Sequence, residues 1–167
     1  PVLSVPAGTV VHDQARVTGQ VGLPVPTGTV TFSWFTNGTC TAPAAATSGP
    51  FALTAAGVAD GVAFPQTPLA SGTFAFQATY SGDGTYTGST GACEPLTVTP
   101  VASSTVTVIH DADHAPVLSV LAGTVVHDEA TVTGQVGLPV PTGTVTFSWF
   151  TNGECTGTPA ATSDPFT

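Results

Sequence analysis

Basic charge is almost missing from this chain: Arg16 is the single base among 167 residues, set against ten acids for a formal net charge of −9. No basic patch can be assembled from one arginine, which excludes nucleic acid and anionic lipid surfaces as partners. Lys and Met are missing altogether, so the usual helix exterior is scarce and Lys–Asn isopeptide cross-links are ruled out. Only 7% of residues are charged, while 19 Gly and 15 Pro interrupt the chain, an arrangement that argues against long helices. No apolar run approaches the ~20 residues a membrane-spanning helix needs. A Gly-x-Ser-x-Gly nucleophile motif is missing too, and nothing in the sequence supports an enzyme. The chain opens at Pro1 without a start methionine or signal peptide, so the expectation is an excerpt of something longer.

What is present is a duplicated β pattern. Gly28-Thr29-Val30-Thr31-Phe32-Ser33-Trp34-Phe35 returns letter for letter at residues 143–150. Val30, Phe32 and Trp34 alternate with Thr29, Thr31 and Ser33, the period of a strand with one buried face. The copy extends further: residues 1–51 and 116–166 are identical at 43 of 51 positions, differing at 6, 14, 16, 39, 42, 43, 44 and 49. An offset of 115 residues is too long for a solenoid turn and suits one sandwich domain plus a connector.

Strand candidates follow at short intervals. They are Thr105–His110, Val117–Leu121, Ala15–Val21 with Ala15, Val17 and Val21 facing inward, and the core strand 28–35. After the Asn37-Gly38 turn, Thr41–Pro50 is a loop or weak edge. Phe51–Ala55, Val58–Phe64 and residues 73–80, with Phe74, Phe76, Ala78 and Tyr80 on one face, come next, and Leu96 and Val98 close the unit. About seven strands at this spacing predict an all-β Greek-key sandwich. The division is a domain over 1–100 that lacks its first strand, and over 101–167 the first half of a second, with a connector at 109–116. Each half-formed unit is expected to be completed by a neighbouring segment, either the same polypeptide continuing or another copy donating strands.

Gly28–Phe32, then Ser71-Gly72-Thr73, then Ala78-Thr79-Tyr80-Ser81-Gly82-Asp83-Gly84-Thr85-Tyr86, resembles the signature of bacterial Ig-like domains of the group 3 type. The resemblance covers nearly the whole unit. It implies an Ig-like sandwich in tandem repeats, a secreted or cell-surface location, and use as spacer or stalk, with no particular ligand.

In a chain of that kind, the even cysteine count per unit suggests one disulfide per domain, Cys40 to Cys93, leaving Cys155 to pair outside the sequence. A Cys93–Cys155 bridge between units and free thiols are the alternatives. Trp34 and Trp149 are in phase with core residues rather than placed to stack a sugar. Phe35 and Phe150, out of phase, are candidates for self-association. His110, Asp111, Asp113 and His114 form the densest cluster of metal-ligand types, weak candidates for calcium or zinc beside a plainer reading as a connector turn. Asp83 invites the same comparison, with a turn again preferred. His12-Asp13 and His127-Asp128 look like parts of a hydrolase triad, but neighbours on a strand point to opposite faces. Asn37-Gly38-Thr39 matches a glycosylation acceptor that the second copy, Asn152-Gly153-Glu154, does not keep.

The expected function is structural: an extracellular filament shaft or surface stalk whose partners are copies of itself or adjoining repeats. The low-charge, Thr-rich exterior, with mean hydropathy +0.34, favours lateral packing. No cofactor is called for, apart from the weak calcium candidate at the junction. The rival is an adhesin array holding a glycan or surface receptor at loops 36–50 or 81–92, and a third class is the accessory domain of a secreted hydrolase.

Overall fold

Alternation in the duplicated block becomes strand β3 (Thr29–Phe35), whose Val30, Phe32 and Trp34 are buried while Thr29, Thr31 and Ser33 stay half-exposed. In the computed structural model, which describes residues 4–167, no helix occurs among the described residues. Pro1, Val2 and Leu3 of the first repeat copy lie outside them. The chain divides into two compact units, Pro1–Val101 and Ala102–Thr167.

In the first unit β3 is the antiparallel partner of β7 (Gly72–Tyr80), with Val30 opposite Tyr80 and Trp34 opposite Phe76. β7 then pairs with β9 (Glu94–Thr99), and β9 pairs in parallel with β1 (Ser4–Pro6). Short strands β4 (Ala46–Thr47) and β5 (Phe51–Ala52) return along β3, and β8 (Ser89–Thr90) lies along β7. A separate two-stranded sheet joins β2 (Gln14–Arg16) to β6 (Val58–Asp60).

The small sheet covers the large one. Ala59 of β6 is buried with Val30, Phe32 and Tyr80, and Ala15 and Val17 pack on the same cluster. A second cluster joins Trp34 and Phe76 to Val5, Leu96 and Val98. Phe74 stacks on Trp34 at 5.3 Å between ring centroids. Two β layers with side chains interdigitated between them bury the apolar faces of β3, β7 and β9. Gly28 turns the chain into β3 at φ +94°, where a Cβ would lie 2.6 Å from the Gly82 carbonyl oxygen, so a side chain is excluded there.

Several expectations shift. The inward run Ala15–Val21 stops early: regular pairing ends at Arg16, and Val21 is fully exposed. Gly19 sits under the Tyr86 ring, leaving no room for a Cβ, and the chain then turns through the Leu23 N–H to Gln20 carbonyl bond. Thr41–Pro50 contains a true strand, β4, because Ala46 and Thr47 find free edge on β3. Phe35 is buried, as is its cross-strand partner Ala75, at the end of the strand where the Cys40 loop begins. It is therefore not presented to a neighbour.

In the second unit β10 (Ser104–Asp111) pairs with β11 (Val126–Thr133) along all eight residues, and β12 (Ser148–Trp149) pairs with β13 (Ala161–Thr162). The expected strand Val117–Leu121 does not form, and Leu118 and Leu121 are exposed. Its first-unit counterpart pairs with β9, and residues 102–167 contain no counterpart of β9. Trp149, expected in a core, is 56% exposed against 5% for Trp34, because no counterpart of β7 lies across from it.

The two faces of β3 should differ sharply under mutation. Phe32→Ala should cost the first unit about 3–5 kcal/mol and Thr31→Ala under about 1 kcal/mol, read by urea unfolding followed through Trp34 fluorescence in a Trp149→Phe background. Equal losses would contradict the assignment of faces.

Candidate functional site

The strand register leaves one side of the first unit open. An apolar groove of about 670 Å³ runs between residues 9–14 and the start of β9, walled by Val5, Val11, Phe76 and Leu96 and bounded by the Cys93 end of the disulfide. Asp13 and Glu94 bring two carboxyls into it. Asp13 is in phase with Val11, Ala15 and Val17, so the strand carries its side chain inward, and it is only 9% exposed. Burial, reinforced by the negative charge of Glu94, pushes the Asp13 carboxyl up to about 6. Two neighbours work the other way: the Gln14 N–H, which donates to Asp13 Oδ1 at 2.7 Å, and then the His12 ring. Chemically the groove offers apolar walls and a carboxyl that changes charge near neutrality. The phase of Asp13 is visible in the sequence, but its meeting with Glu94, eighty-one residues later, is not.

His12 points the other way, to Asp60 Oδ1 at 3.3 Å, so the His12-Asp13 pair is split between two faces as strand geometry requires.

Cys40 and Cys93 form the disulfide, with Cα atoms 5.7 Å apart. It ties the loop after β3 to the start of β9 across 53 residues, a closure contributing about 4 kcal/mol in the chain-entropy picture. Cys155 is an exposed free thiol, yet its φ of 51° equals that of Cys40. The Asn37 side chain staples this loop: Nδ2 donates to the Thr41 carbonyl, and Oδ1 accepts from the Thr39 and Thr41 N–H groups. Asn152 repeats the staple in the second unit.

Asp83 is a tie, not a free ligand. Its carboxylate accepts from the N–H groups of Thr27, Thr85 and Tyr86, each at 2.7 Å. These backbone donors hold it well below the usual carboxylate range. The tyrosines of the same motif anchor the opposite loop, Tyr80 donating to the Thr27 carbonyl and Tyr86 to that of Pro24.

In the second unit Asp111 Oδ1 caps its own turn, accepting from the N–H groups of Asp113 and Ala115. His114 Nδ1 and His127 Nε2 lie 3.1 Å apart, and the His110 ring stacks near that of His127. Among the described residues no cluster has metal-holding geometry. Phe150 is half-buried there.

No protein-family model matches the chain, and neither a curated protein nor a solved structure matches it.

The raised Asp13 carboxyl carries a definite pH signature. Its folded value lies above its unfolded value of 3.8, so the native state holds a proton that the unfolded chain has lost between about pH 4 and 6. Stability should rise on the order of 1–2 kcal/mol as pH falls from 7.5 to 4.5. Asp83, held low, remains ionised over that window. Urea unfolding at the two pH values should show the gain in the native sequence and its loss in Asp13→Asn, and an unchanged pH slope in the variant would contradict the assignment.

Proposed function

We propose that this chain belongs to a tandem array of Ig-like domains forming the shaft of an extracellular filament or surface stalk. The carrying observation is the duplication itself: the strand buried as β3 beneath Phe74 and Phe76 returns letter for letter at residues 143–150, so a second unit of the same kind follows in the same chain. The disulfide in the first unit fits an oxidising compartment and a load applied along the chain. A single base leaves Arg16 as the one site for trypsin-like cleavage. The Greek-key Ig-like topology and the secreted location come from the Tyr-Ser-Gly-Asp resemblance, and the ties of Asp83 give that motif a structural role.

The adhesin reading draws less support. The polar atoms of Asn37 and Asp83 at the heart of its two loops are already spent on backbone partners. Electron microscopy of the native material should show thin unbranched fibres. Dispersed single particles that bind a glycan array would favour the adhesin instead.

A further inference from the structure

β2 and β11 are the same strand met twice. Residues 11–18 (Val-His-Asp-Gln-Ala-Arg-Val-Thr) and 126–133 (Val-His-Asp-Glu-Ala-Thr-Val-Thr) differ at two of eight positions. They use different edges. In the first unit the Val17 N–H donates to the Gly57 carbonyl and the Gly61 N–H to the Asp13 carbonyl, so residues 13, 15 and 17 turn their backbone groups towards β6. His12, Gln14 and Arg16 turn theirs outward. In the second unit the Val117 N–H bonds the Ile109 carbonyl and the Asp111 N–H bonds that of Ala115. Residues 108 and 110 therefore face β11, opposite Glu129 and His127, the counterparts of Gln14 and His12. β10 occupies the very edge that β2 leaves open.

We propose that this outer edge of β2 is a docking site for a β10-type strand supplied by an adjoining repeat, entering antiparallel with residue 108 opposite Gln14. The inference rests on the array reading and names its contact. Register places residue 109, an isoleucine in this chain, opposite Asp13 and over the groove walled by Val11, Phe76 and Leu96. Edge and groove thus ask for one ligand, an extended segment with an apolar residue at that position. Asp13 holds the place meanwhile: its carboxylate takes the Gln14 N–H that a strand carbonyl would take. Where β10 is present, the equivalent Asp128 Oδ1 is buried and without a partner. Among the described residues no strand pairs with this edge of β2.

The test is amide hydrogen exchange by NMR on the 167-residue chain, with and without a synthetic peptide of residues 102–113. Saturable slowing of the His12, Gln14 and Arg16 amides by roughly tenfold or more is expected. The same peptide carrying Ile109→Asp should lose most of that protection. No slowing at excess peptide, or slowing confined to β11, overturns the proposal. Protection of the same amides on concentrating the chain alone would assign the edge to a second copy and overturn it as well. Fibres in native material with these amides indifferent to peptide would sink this contact and leave the shaft reading standing. Peptide docking without any fibre would do the reverse.

Discussion

One burial event organises the first unit: the alternate side chains of β3 enter the space between the large sheet and the β2–β6 layer. Phe32 is fully enclosed there, with Ala59 from above and Phe51 at 5.6 Å across its edge. Apolar burial of this kind is the main favourable contribution available to a chain with so few charges. The remaining elements hold the two layers in place over that strand. β7 supplies Phe76 and Tyr80, β9 supplies Leu96 and Val98, and the disulfide pins the start of β9 to the loop leaving β3.

Polar side chains in this protein serve mainly to occupy backbone groups that the short strands leave unpaired. Asn37 closes the loop before Cys40, Asp83 gathers three N–H donors at the far end, and Ser48 receives the Phe32 N–H. Ser163 does the same for Phe147 in the second copy. Asp13 belongs to this pattern with one difference: the donor it occupies lies on a strand edge, and its own burial makes the arrangement costly near neutral pH. The Asp13 carboxyl beside Glu94 thus has a backbone donor to occupy, the Gln14 N–H.

Legibility followed how local the cause was. The core of β3 was plain because alternation sets its faces within eight residues, whereas an even cysteine count in a chain resembling secreted domains only favoured Cys40–Cys93 over a Cys93–Cys155 bridge or free thiols. Phe35 was misplaced because period two assigns it to the outer face, while burial at that end depends on β7 and on the loop that follows. Val21 was misplaced because a glycine two residues earlier lies against Tyr86, a contact from sixty-seven residues away that no window shows. The groove was hidden for the same reason, its walls coming from β1, β7 and β9. Duplication misled in one respect: identical strands were assigned identical cores, whereas burial depends on the partners present.

That dependence on partners is most directly tested by the two tryptophans. In single-tryptophan variants of the full chain, Trp34→Phe and Trp149→Phe, acrylamide should quench the remaining Trp149 several times more efficiently than the remaining Trp34, matching exposures of 56% and 5%. Equal quenching of the two would mean that the repeated strand finds the same cover in both units, and that its burial does not depend on the strands that lie across from it.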